Sequence, residues 1–233
     1  MSKTLLIFAK KPTPGRVKTR LVPPLSADAA AELYRCMLFD VLGKVGQMTG
    51  VDRQLCYEEG EGARGYFEGV FSGELFPQEG HDLGERMAGA FRRAFDRGDG
   101  RVAIIGTDSP DLPPEFVGLA YALLADPAVD AVFGPSEDGG YYLLAMKRFH
   151  PELFAHIPWS TEHVLECSLA RAAEAGLATA LLPPWYDVDT ADDLRRPGLV
   201  APESTAPLTR EFLLGLARLT SPHSPHTPAP GGR

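Results

Sequence analysis

Val102-Ala103-Ile104-Ile105-Gly106-Thr107-Asp108-Ser109-Pro110-Asp111-Leu112-Pro113-Pro114 carries the most informative pattern in the chain. Val102 to Ile105 is an unbroken apolar run with the length of a strand buried on both faces. The run stops at Gly106-Thr107, which leaves Asp108 at the end of a central strand. Pro113-Pro114 then opens a helix. Carboxyl ends of strands line the ligand crevice of an open α/β sheet, so a carboxylate there is placed to hold a metal against a phosphate. Taken alone, a single Asp-Ser-Pro is better read as a cap on the next turn, and the remaining stretches are what favour the metal reading.

Outward from this run, the pattern alternates. Strands are expected at Thr4 to Ala9, Val51 to Tyr57, Glu74 to Phe76, Ala128 to Phe133, Tyr141 to Met146 and Ala178 to Leu182. Helices are expected from the Ser26 cap to Met48, and over Glu61 to Val70, Leu83 to Phe95, Pro114 to Leu124, Thr161 to Ala175, Thr190 to Arg195 and Thr209 to Leu219. Lys10 to Pro24 cannot be helix, because Pro12, Pro14, Gly15 and Pro23-Pro24 interrupt it. This alternation predicts a single-domain α/β fold with a mostly parallel, doubly wound sheet and helices on both faces. Gly134 to Met146 reads as an edge or antiparallel excursion. One domain is expected over residues 1–220, with the Pro, Ser, His and Gly of 221–233 as a disordered tail.

Composition narrows the function classes. The chain has 233 residues, 44% hydrophobic and 23% charged, with a net charge of −8, which argues against nucleic acid as a partner. Its first twenty residues nevertheless hold Lys3, Lys10, Lys11, Arg16, Lys18 and Arg20 and no acid. That local cationic segment suits a small anionic ligand. Cys36, Cys56 and Cys167 form no Cys-x-x-Cys pair, so buried thiols in a reducing compartment are expected. Leu5 to Ala9 is too short for a signal peptide or membrane span, and a cytoplasmic protein is expected.

Four stretches carry candidate chemistry. Ala9-Lys10-Lys11-Pro12-Thr13-Pro14-Gly15-Arg16-Val17-Lys18-Thr19-Arg20-Leu21 leaves a strand and precedes a helix, the setting of a phosphate loop, without the P-loop or dinucleotide glycine pattern. Lys18 and Arg20, two apart, would project together from an extended loop. Gln78 to Met87 is a glycine-containing helix entry in which the Gln78 amide could read a nucleobase edge. In Gly134-Pro135-Ser136-Glu137-Asp138-Gly139-Gly140-Tyr141-Tyr142, Asp138 could bind an acceptor hydroxyl or act as a base if the turn faces the crevice. In Tyr186-Asp187-Val188-Asp189-Thr190, alternation puts Asp187 and Asp189 on one side, and either could meet Asp108. Thr190 with Asp193 makes a capping box. Two carboxylates completed by phosphate and water oxygens suit magnesium or manganese. Ser160 reads as a helix cap, and Trp159 as a packing residue that could line an acceptor pocket. A serine hydrolase is disfavoured, because the Gly-x-Ser-x-Gly elbow is missing and no His has a placed acid partner.

Together and in this order, these pieces resemble the nucleotide-diphospho-sugar transferase superfamily, of glycosyltransferase-A type fold. More closely, the chain resembles the bacterial radical-SAM/selenodomain-associated transferases, also described as arsenosugar-biosynthesis glycosyltransferases. The resemblance spans Phe8 to Leu194. It implies a nucleotide at Ala9, Lys10, Gly15, Arg16, Lys18, Arg20, Gln78, Gly84 and Thr107. It implies Mg2+ or Mn2+ at Asp108 and Asp189, an acceptor near Asp138, Gly139, Tyr141, Trp159 and Ser160, and catalytic roles for Lys18, Arg20, Asp108 and Asp138. The chain is similar, more distantly, to phospholactate guanylyltransferase and to the nucleotidyltransferases of molybdenum-cofactor synthesis. The expected ligands are thus a nucleotide or nucleotide-sugar with a small-molecule acceptor, and neither nucleic acid nor membrane. Glycosyl transfer leads. Nucleotidyl transfer and a non-catalytic nucleotide-binding module remain open, as does the oligomeric state.

Overall fold

A computed structural model describes residues 2–220, and the expected tail at 221–233 lies outside them. The strands are β1 (Lys3–Ala9), β2 (Asp52–Tyr57), β3 (Glu74–Pro77), β4 (Arg101–Ile105), β5 (Ala131–Pro135), β6 (Tyr141–Met146) and β7 (Thr179–Leu181). They form one seven-stranded sheet in the order β3-β2-β1-β4-β6-β5-β7. Every pairing is parallel except those of β6, which runs against both β4 and β5. The antiparallel strand is therefore interior, which corrects the edge alternative: Leu143 to Met146 is apolar at every position and is buried on both faces.

The central strands divide their side chains by the two-residue period. Leu5 and Ile7 of β1 with Ala103 and Ile105 of β4 pack toward α1 (Ala27–Gly46) and α4 (Pro114–Leu123). Leu6 and Phe8 with Val102 and Ile104 pack toward α3 (Leu83–Asp96) and α5 (Val164–Glu174). Strands apolar at successive positions thus require a helix layer on each face, as the fold class demands. The short α2 (Ala63–Val70) buries Ala63 and Phe67 beside Leu55 and Tyr57 of β2.

The expected helix at Thr190 to Arg195 is only a 3-10 turn over Asp193–Arg195, followed by the unanticipated α6 (Pro197–Val200) and then α7 (Pro207–Thr220). The buried Asp40 of α1 accepts the backbone N–H groups of Leu208 (3.1 Å) and Thr209 (2.8 Å), capping α7 from a distant helix. The helix expected from Thr161 begins at Val164. Ser160 is no cap: its φ is +66°, and Thr161 Oγ1 instead takes the His163 N–H (3.3 Å). No helix of the described residues is long and apolar enough to cross a membrane.

Because β6 runs against β4 and β5, and β5 therefore runs with β4, the β5–β6 turn lies at the same sheet end as the carboxyl ends of β1 and β4. That end carries the site.

Candidate active site

The loop leaving β1 turns back under the cleft rather than extending. Lys18 has φ +48° and ψ 40°, left-handed backbone that is uncommon for any residue but glycine, and it opens a 3-10 turn over Thr19–Leu21. This redirects the two cations that an extended loop would have projected together. The Lys18 side chain is 3% exposed, and its Nζ lies 2.5 Å from Asp108 Oδ1 and 2.8 Å from Asp189 Oδ1. Arg20 is 73% exposed, with Nη1 at 4.0 Å from Asp189 Oδ2. Burial favours loss of the Lys18 proton, but the carboxylates of Asp108 and Asp189 outweigh it and hold the pKa above the ordinary lysine range.

Asp108 stands just past β4, and its carbonyl accepts the Val188 N–H at 2.9 Å, which ties the Asp187–Asp189 segment across the sheet end. The Asp193 carboxylate then fixes the Asp189 backbone, accepting the N–H groups of Asp189 (3.2 Å) and Thr190 (2.8 Å). This is the backward half of the expected capping box.

The two aspartates of that segment have different surroundings. Asp187 accepts the Ser109 hydroxyl at 2.6 Å and the Ser136 hydroxyl at 2.7 Å, so each of its oxygens is engaged. Burial pushes its pKa up to about 6, against the Ser109 hydrogen bond and with the Asp108 charge assisting. Asp189 keeps its carboxylate toward Lys18 and Arg20. Asp111, the other acid near Asp108 in sequence, is buried and structural: it accepts from the Tyr186 hydroxyl and from Trp185 Nε1 (3.2 Å).

Tyr34 of α1 was not anticipated from the sequence. Its buried hydroxyl accepts the Lys10 N–H at 2.9 Å and lies 2.8 Å from Thr107 Oγ1. Either hydroxyl can donate in that contact. Sequence offered only a Tyr beside Leu33 on an amphipathic helix, a signal indistinguishable from packing.

The opposite wall is built around Trp159. A Cβ on Gly84, in the first turn of α3, would overlap the Trp159 indole, and only a glycine admits the ring there. Tyr141 meets the same indole edge-on, with centroids 6.5 Å apart. Its hydroxyl is buried away from water, and burial raises its pKa. Asp138 is exposed at the tip of the β5–β6 turn, with Oδ1 accepting the Gly140 N–H at 2.9 Å. Gly139, at φ +88°, presses against the Glu162 backbone.

These elements enclose an open cleft of about 960 Å³. Lys10, Arg16, Lys18 and Arg20 line its cationic side, Thr107, Asp108 and Asp189 its floor, and Asp138, Tyr141, Trp159 and Ser160 its far side. Ala9 and Gln78 line it as well, but Gln78 Nε2 donates to the carbonyls of Cys56 (2.8 Å) and Ala9 (3.4 Å). Only Oε1 of that amide has no protein partner among the described residues. Gly15, Gly84 and Gly139 do not line the cleft; Gly84 and Gly139 shape the wall behind it. Arg86 and His81, both unassigned from sequence, do line it, and Arg86 pairs with Glu58 at 3.1 Å.

Asp108 Oδ1 and Asp189 Oδ1 converge on one ammonium, so two carboxylate oxygens face a single cation position. This all-oxygen pair fits a hard divalent cation. Among the described residues no group of three or more His, Cys, Asp or Glu could hold a metal ion, so the other ligand positions would be filled by phosphate oxygens and water.

Residues 41–161 match the family described as uncharacterized protein conserved in bacteria (DUF2064). No curated protein matches the chain. A solved structure from Desulfovibrio desulfuricans G20, provisionally named a nucleotide-diphospho-sugar transferase, is 36% identical with a TM-score of 0.82, over 92% of this chain and 98% of that one. A cytidylyltransferase from Leptospira borgpetersenii (12% identity, TM-score 0.57, 94% and 95% covered) shares the fold. So does molybdopterin-guanine dinucleotide biosynthesis protein A from Archaeoglobus fulgidus (15%, 0.52, 83% and 95%). The nucleotide-diphospho-sugar transferase fold expected from sequence is therefore the fold observed.

Proposed function

We propose that this chain, which belongs to the bacterial DUF2064 family, is a divalent-metal-dependent transferase that moves a sugar from a nucleotide-activated donor to a hydroxyl of a small acceptor. The carrying observation is the convergence of Lys18, Asp108 and Asp189 beneath a cationic loop in one cleft. The similarity to the Desulfovibrio protein supports a nucleotide-sugar donor. The resemblance to radical-SAM-associated glycosyltransferases belongs to this reading as well.

In this reading Asp108 and Asp189 hold Mg2+ or Mn2+. Asp189 is favoured over Asp187, whose oxygens are occupied by Ser109 and Ser136. The metal, when bound, would offset negative charge developing on the departing phosphate. Lys18 and Arg20 stabilise the same charge from the loop side. Asp138 accepts a hydrogen bond from the acceptor hydroxyl and takes its proton as the new glycosidic bond forms. Trp159 shields that side of the cleft from water.

Nucleotidyl transfer is the second reading. Arg16 and Arg20 add exposed cations beyond the Lys18 pair, enough positive charge for a triphosphate whose pyrophosphate leaves. A thermal-shift panel of nucleotide sugars and nucleoside triphosphates, each with Mn2+ or chelator, separates the two. A ligand at a hundred times its Kd stabilises by about 2.7 kcal/mol. The expected result is a Mn2+-dependent shift with a nucleotide sugar that Asp108→Asn removes, and nucleoside diphosphate as product. A shift with triphosphates alone, and pyrophosphate as product, would select nucleotidyl transfer. Binding without turnover of any acceptor would leave the non-catalytic module.

A further inference from the structure

We propose that the Lys18 ammonium and the divalent cation compete for the Asp108–Asp189 pair, so that the cation binds weakly until phosphate groups draw Lys18 away. The inference rests on the reading of those two aspartates as the metal-holding pair.

Lys18 Nζ already occupies the point where the two carboxylate oxygens converge, at 2.5 and 2.8 Å, and its side chain is nearly excluded from water. Magnesium bonds oxygen at about 2.0–2.1 Å. A cation joining both oxygens would therefore stand in contact with the ammonium, and the two positive charges would repel at close range. The ammonium must move before the pair can hold a metal. A phosphate in the cleft gives it somewhere to go, because Lys18 and Arg20 line the same wall. Each phosphate–lysine contact then frees a carboxylate oxygen, and the metal takes the ammonium's place on the freed carboxylates. The coupling is reciprocal: nucleotide tightens metal binding by the factor by which metal tightens nucleotide binding.

Backbone geometry supports the arrangement. Lys18 adopts left-handed φ at +48°, and the turn aims its side chain at the two carboxylates. Those carboxylates keep 48% and 38% of their side chains exposed, so they can take water when the ammonium leaves.

The experiment titrates nucleotide-free protein with Mn2+, reading free Mn2+ by electron paramagnetic resonance, with melting curves as the check on folding. Lys18→Met should bind Mn2+ at least roughly tenfold more tightly than wild type, and Lys18→Arg, which keeps the cation, should stay within about threefold. Lys18→Gln repeats the test should the Met variant fail to fold. Adding Asp189→Asn to Lys18→Met should abolish the gain. Equal or weaker Mn2+ binding by both neutral variants would overturn the competition. If wild type in that case still loses its weak Mn2+ binding on Asp108→Asn, the metal pair stands and only the competition fails. If a gain persists after both Asp108→Asn and Asp189→Asn, Mn2+ binds elsewhere, and both the competition and the metal reading fall.

Discussion

Replacing Gly84 with Ala sets two contributions of opposite sign against each other inside one helix. Glycine within a helix costs about 0.5–1 kcal/mol relative to alanine, so helix propensity alone makes Gly84→Ala stabilising. At Gly84, however, the new methyl would overlap the Trp159 indole. Forcing an extra methyl into a packed contact costs typically ~1–3 kcal/mol, and the indole can retreat only by giving up its edge-on contact with Tyr141. The net expectation is a loss of up to about 2.5 kcal/mol, or as much as roughly 5–10 °C in Tm for a chain of this size. Gly89, in the same helix, is an internal control. Its Cβ would meet only the Glu79 carbonyl, at an ordinary 3.5 Å, so Gly89→Ala should raise Tm by about 1–4 °C. Differential scanning calorimetry of both variants, with tryptophan emission as a second probe, makes the comparison. Gly84→Ala should shift emission toward the red as Trp159 gains water, and should weaken acceptor affinity. A Gly84→Ala protein that melts higher than wild type, as Gly89→Ala should, would refute the account of how this wall is built.

Two further outcomes follow from side chains remote from the cleft. Asp40→Ala leaves the Leu208 and Thr209 N–H groups without their cap and should cost about 0.5–2 kcal/mol in urea denaturation, while nucleotide-induced thermal shifts stay intact. Lys44 donates to the carbonyls of Pro110 and Leu112 (3.0 Å for the latter), and burial lowers its pKa to about 8, against the pull of Asp111 and Asp40. Its folded pKa lies below the unfolded value, so between about pH 8 and 10 the unfolded chain binds more protons and stability rises with pH. The rise is at most on the order of 3 kcal/mol. Lys44→Met should flatten the slope in chemical denaturation at pH 8, 9 and 10, and an unchanged slope would reject the assignment to Lys44.

The fold was readable because its evidence is local. Leu5 to Ala9 and Val102 to Ile105 are apolar at every position, and that pattern needs no partner to be recognised. The position of β6 in the sheet depends on which strands it pairs with, and Tyr141 to Met146 would look the same at an edge. Within the site, Asp108 was nameable as a candidate from its place past a central apolar strand, and Asp189 from the alternation of Tyr186 to Thr190. Their separation from Asp187 and Asp111 was not, since it turns on Ser109 and Ser136 in one case and on Trp185 and Tyr186 in the other. The different placements of Lys18 and Arg20 depend on a left-handed lysine, which no propensity foretells. Tyr34 acts through a hydroxyl whose partners lie in two other parts of the chain.

The tie between Lys18 and Asp189 spans 171 residues of sequence. During vectorial synthesis Lys18 and Asp108 therefore emerge long before Asp189, and no nascent chain short of that residue can complete the constellation. Closing so long a loop is entropically unfavourable until the intervening strands have paired. The cleft therefore waits on the second half of the chain, and a ribosome-stalled or C-terminally clipped product that ends before Asp189 lacks one of the two carboxylates that face Lys18.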